Sequence, residues 1–143
     1  MAKRPFLIGI VCLIAGACSY PANMLMKLTP EEHAYLERAM AQPLTFMVTP
    51  EDSNMKWGVA QAFIAKHASM KIETVSDIVL ETYNPYGGRY GYRVIRTPKK
   101  DGDEFFIVCL NDNMFLSKST EQNAHIFAHY LVTDEIIERL IKR

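Results

Sequence analysis

Between residues 29 and 68 the apolar positions recur at helical spacing. The stretch LTPEEHAYLERAMAQP puts Tyr35, Leu36, Ala39 and Met40 on one thin stripe. Thr29 can cap the segment, Pro30 suits its first turn, and Glu31 and Glu32 sit at the positive end of the helix dipole. Thr29 and Glu32 have capping-box spacing and Pro43 ends the run, which predicts a peripheral helix over 30–41. TPEDSNMKWGVAQAFIAKHAS repeats the signal at Thr49, Pro50 and Glu51 and predicts a second helix to about residue 68. Its apolar face is broad. Met55, Val59, Phe63 and Lys66 form one stripe, and Trp57, Ala60, Ile64 and His67 form another beside it. This helix is expected at the centre, under a sheet, with Trp57 as a core anchor.

The pattern then changes to β-branched and aromatic runs. Residues 71–83, 90–97 and 104–111 read as strands, separated by the turn sequences NPYGG and PKKDGD. Such short connections leave no room for a helical crossover, so the three strands form an antiparallel meander. The C-terminal third carries two patterns. Ser119, Glu121 and Gln122 can start a helix with Ala124, Phe127, Ala128 and Leu131 on one face, whereas Ala124, Ile126, Ala128, Tyr130 and Val132 alternate as a fourth strand would. The alanines and the start signal favour helix. Thr133 and Asp134 then read as the cap of a last helix, DEIIERLIKR. The fold class expected is α+β: N-terminal helices, a three-stranded antiparallel meander with a fourth strand as the alternative, and C-terminal helices on one face of the sheet.

The first residues follow another plan. Lys3 and Arg4 precede the uncharged run FLIGIVCL, and Ala15, Gly16 and Ala17 lead into Cys18. A charged start, a short apolar stretch and small residues are the features of a bacterial export signal. At about a dozen residues the apolar part falls short of the roughly 20 a spanning helix needs. Ala15-Gly16-Ala17 has the A-x-A form that ordinary signal peptidase cleaves before Cys18. The same residues followed by Cys18 resemble the lipobox of bacterial lipoproteins, with Ala15 standing where that family has a larger aliphatic residue. The resemblance covers about the first 18 residues. It implies that Cys18 carries a diacylglyceryl group and becomes the mature N-terminus, and Ser19, in place of aspartate, leans towards the outer membrane. The organisation expected is a signal peptide over 1–17, a tether over 18–28 and one α+β domain over 29–143. With Cys18 lipidated and Cys12 removed, Cys109 has no thiol left to pair with; without lipid, a Cys18–Cys109 bridge is open in an oxidising compartment. Cys109 lies in the strand-like run FFIVCL and reads as a buried residue.

Charge narrows the partners. Loss of Lys3 and Arg4 takes two of the 16 basic residues and none of the 16 acidic ones, so the mature chain is near −2. That balance gives no case for nucleic acid, which needs a basic surface. No serine sits in a G-x-S-x-G setting, the glycines of YGGRYG lack phosphate-loop spacing, and no cofactor is expected. His125 and His129 are four apart in HIFAH, a zinc-like spacing on a helix, but Ile126 stands where a metalloprotease needs its glutamate. The feature most unlike background is YNPYGGRYGY, with Tyr83, Tyr86, Tyr90 and Tyr92 around a glycine turn that contains Arg89. Tyrosine and arginine are enriched at binding hot spots, while tyrosines also serve as cross-strand pairs in hairpins. Tyr86 and Arg89, at the turn, are the candidate partner-binding residues.

The function expected is a lipid-anchored protein of the bacterial envelope, in the outer membrane and facing the periplasm, with a non-catalytic binding or accessory structural role. Its partners are the membrane, through the anchor, and an envelope protein. The alternative is a periplasmic enzyme or metal-binding protein using His125 and His129.

Overall fold

The computed structural model describes residues 27–143. Cys18, the export signal expected over 1–17 and all but the end of the tether expected over 18–28 lie outside them. The described chain is α+β, with three α-helices and a five-stranded antiparallel sheet in the order β1-β5-β4-β3-β2.

Helix α1 (Pro30–Ala41) has the expected bounds and cap: the Thr29 hydroxyl accepts from the Glu32 amide, and the Glu32 carboxylate accepts from the Thr29 amide at 2.8 Å. Strand β1 (Thr45–Val48) follows, then α2 (Pro50–His67), whose N-terminus is capped by Thr49. Helix α2 leads from β1, at one edge of the sheet, to β2 (Ile72–Val75) at the other. The chain returns through β3 (Val79–Thr82), β4 (Gly91–Lys99) and β5 (Gly102–Leu110), so that β5 lies beside β1. Helix α3 (Ser117–Thr133) completes the fold.

Four expectations are corrected. The meander has four strands rather than three, because the run over 71–83 folds back on itself at Ser76. The Ser76 hydroxyl accepts from the Val79 amide at 2.9 Å and makes a turn with no Gly or Pro. A fifth strand, β1, comes from TFMV, a segment too short to read as a strand on its own. Met55, expected on the apolar face of α2, is exposed. The last helix does not form. Asp134 adopts a left-handed conformation (φ 61°) that ends α3, and the tail makes only a 3₁₀ turn over Glu138–Leu140. The tail is instead bonded to α3. Gln122 Nε2 donates to the Leu140 carbonyl at 2.8 Å, and the buried Asn123 amide bonds both the Lys142 carbonyl and the Lys142 amide. Those bonds satisfy backbone groups that a helix would have satisfied internally. Residues 124–132 are helical, as the alanines favoured.

The core fills the space between one face of the sheet and α2 and α3. Leu80, Tyr92, Val94, Phe105 and Ile107 point inward and are fully buried. Trp57 meets Phe105 edge-on at 5.7 Å and donates from Nε1 to the Ser76 carbonyl at 3.2 Å, so it anchors α2 as expected. Phe63 stacks on Phe127 at 3.9 Å, and Tyr92 stands edge-on to both rings. Truncating a ring so placed costs about 3–5 kcal/mol. Helix α1 runs antiparallel to α3: Gln42 is near His125, Tyr35 near His129, and Glu32 pairs with Arg139 beyond the end of α3. The outer face of the sheet is uncovered, with Phe106 and Met47 exposed and Arg93 paired to Glu81 across β3 and β4.

Candidate functional site

The β3–β4 connection turns at Tyr86-Gly87-Gly88-Arg89, where the Arg89 amide donates to the Tyr86 carbonyl. Gly87 (φ 63°) and Gly88 (φ 74°) are both left-handed, the pattern of a type I′ turn that other residues seldom adopt. The turn is fixed from outside. The Asp112 carboxylate accepts from the Gly87 amide at 2.8 Å and from the Gly88 amide at 2.9 Å. Asn111 Nδ2 donates to the Gly88 and Arg89 carbonyls at 2.9 and 2.6 Å. Two loops that lie more than twenty residues apart in the chain are thus joined into one rigid end of the sheet.

Beside this turn lies a cleft of about 500 Å³, lined by Lys71, Glu73, Tyr83, Asn84, Tyr86 and Arg89. Its two sides are held together by backbone bonds. The Tyr83 amide donates to the Lys71 carbonyl at 3.0 Å, and the Ser69 amide donates to the Tyr90 carbonyl at 2.9 Å. Tyr83 and Tyr86 are half exposed or more. Arg89 folds back over Tyr86, its guanidinium 4.7 Å from the ring centre and its Nη1 donating to the Tyr86 hydroxyl at 2.9 Å. The volume falls in the range of pockets that hold small ligands or peptide side chains.

The structure therefore places both candidate binding residues, Tyr86 and Arg89, in one cleft and adds Lys71, Glu73, Tyr83 and Asn84 to them. Lys71 and Glu73 lie in a run that reads only as a strand rich in β-branched residues, so the sequence alone does not mark them. Tyr90 and Tyr92, from the same motif, are buried and belong to the core. Met114 and Phe115 were also missed. They stand 81% and 89% exposed on a single 3₁₀ turn of the loop that carries Asp112. Asn113 Oδ1 accepts from the Phe115 amide at 3.0 Å, so local bonds hold these apolar side chains in solvent.

His125 and His129 occupy separate environments. The Gln42 carbonyl lies 2.8 Å from His125 Nδ1, which puts the ring proton on that nitrogen. His129 is buried edge-on to Tyr35 at 5.4 Å, with Nε2 3.8 Å from the Glu135 carboxylate, and burial holds its pKa below the ordinary value. Among the described residues no three His, Cys, Asp or Glu side chains gather where a metal ion could bind. Cys109 is a free cysteine packed against the core beside Tyr92 and Asn123, and burial pushes its thiol up to about 12. A thiol so placed is unreactive at physiological pH. Among the described residues no helix is long and apolar enough to cross a membrane.

Comparison of the chain with protein-family models, with curated proteins and with solved structures finds no match.

Proposed function

We propose that the protein is a lipid-anchored, non-catalytic binding module of the bacterial envelope that engages a protein partner through the cleft at Tyr86 and Arg89. The observation that carries the binding role is the cleft itself. Its volume of about 500 Å³ suits a ligand or peptide side chain, it is lined by exposed tyrosines and an arginine, and Asp112 and Asn111 fix its shape before anything binds. A pre-ordered loop spares the entropy that a mobile one loses on association. Exposed Met114 and Phe115 widen the same end of the domain into a mixed aromatic and apolar surface.

The path of the chain supports an anchored orientation. Thr29 enters α1 near the C-terminal end of α3, whereas Asp112 and the cleft lie at the N-terminal end of α3. Seventeen helical residues span about 25 Å. A domain tethered through residues before Thr29 can present the cleft away from the membrane, towards a partner across the periplasm.

Two measurements test the proposal. Mass spectrometry of membrane-fraction protein is expected to find an acylated N-terminal Cys18, and a soluble chain with unmodified Cys18 would remove the anchor. Cells carrying Tyr86→Ala/Arg89→Ala are expected to hold folded protein that no longer crosslinks to its envelope partner. Unchanged crosslinking would move the binding surface elsewhere.

A further inference from the structure

Of the arginines in the described helices, strands and turns, Arg38, Arg93, Arg96 and Arg139 each meet a carboxylate. Arg89 meets none among the described residues. Its Nη1 and its flat face are taken by Tyr86, which leaves Nε and Nη2 without a hydrogen-bond partner among the described residues. Lys71, in the same cleft, forms no ion pair among the described residues either. Two cations without a counter-ion thus share a cleft with two exposed tyrosine rings and one acid, Glu73.

We infer that the cleft binds a peptide segment through a carboxylate held by Arg89 and Lys71, with an adjoining aromatic or large apolar side chain against Tyr83 and Tyr86. The inference rests on the cleft being the binding site and names its ligand class. Three features support it. A guanidinium pinned by an aromatic ring presents its remaining fork to a carboxylate with little further loss of freedom. Among the residues lining the cleft, Lys71, Arg89 and Glu73 sum to +1, and the Asp112 carboxylate behind the turn lowers the field further, which suits one carboxylate and opposes the more highly charged phosphate. The tyrosines supply the apolar contact area that a lone ion pair in an open cleft lacks, since exposed charge pairs contribute little by themselves.

The test uses the full chain in mild detergent and measures fluorescence anisotropy with N-dansyl-glycyl-phenylalanine and with the same peptide ending in a carboxamide. The free acid is expected to bind about tenfold more tightly than the amide, the size of one charge-assisted hydrogen bond. Arg89→Ala and Lys71→Ala should each reduce that preference, while Glu73→Gln should not weaken binding. A thermal melt confirms that each variant is folded. Equal binding of acid and amide, or displacement of the peptide by inorganic phosphate more readily than by acetate, would overturn the carboxylate assignment. Binding of neither peptide would overturn it as well. The cleft as the partner site would still stand if residues lining it crosslink to an envelope protein in cells, so the two failures are told apart.

Discussion

The Arg89 guanidinium lies 4.7 Å from the centre of the Tyr86 ring and donates to the Tyr86 hydroxyl at 2.9 Å. Both side chains are large, and neither is needed to fill the core. Their mutual contact holds the arginine in place while the tyrosine stays 59% exposed.

Replacing Tyr86 and Arg89 together with alanine should therefore change stability by no more than about 0.5 kcal/mol, as at ordinary surface sites. Asp112→Ala should cost more, about 1 kcal/mol, because it frees the two glycine amides at the turn. Urea denaturation of both variants checks the order. A double variant that unfolds easily would place Tyr86 and Arg89 in the core.

Acid should weaken the fold in two stages. His67 is buried beside Phe63 at 4.7 Å, and His129 is buried beside Tyr35. Burial holds both imidazoles below the ordinary 6.5, although Glu138 near His67 and Glu135 near His129 oppose the shift. The unfolded chain then binds more protons than the native one, so stability falls as pH drops through 6.5 and towards the lowered folded values. A second loss follows at lower pH. The Ser53 hydrogen bond and then the Arg96 guanidinium hold Asp103 below its ordinary value, so its contribution disappears as it protonates. The urea midpoint should be lower at pH 5.5 than at pH 7.5, and His129→Gln should flatten that difference. A midpoint independent of pH over this interval would contradict the burial of both rings.

Gly102 should tolerate no side chain. Its φ of 142° lies where L residues seldom go, and an added Cβ would stand 2.2 Å from the Val48 carbonyl oxygen. Gly102→Ala is expected to cost about 2 kcal/mol or more, read as a lowered melting temperature. A neutral substitution would mean that the β1–β5 approach is looser than the geometry indicates.

Chelation should leave the melting temperature unchanged. His125 is committed to the Gln42 carbonyl, and His129 is buried in the packing around Tyr35. A drop on adding EDTA that zinc restores and His129→Ala abolishes would favour the metal-binding alternative.

How much of this was legible follows local chemistry. Thr29 and Thr49 announced α1 and α2 because capping is written in a few adjacent residues. The turn at Ser76 was hidden because a serine hydroxyl did the work normally left to Gly or Pro. The tail failed to become a helix for a tertiary reason: Gln122 and Asn123 bond its backbone from α3, and no periodicity in DEIIERLIKR reports that. In the site, Tyr86 and Arg89 stood out by composition. Lys71 reached them only through the β2–β3 pairing, and Asp112 only through the contact between two distant loops.

The most direct measurement places a photo-crosslinking amino acid at Tyr83, inside the cleft, or at Met55, exposed on α2, in cells expressing the full chain. The expected result is a discrete adduct with an envelope protein from position 83 that Arg89→Ala abolishes, and none from position 55. No adduct from position 83, or one that forms equally from position 55, would contradict a binding role for the cleft.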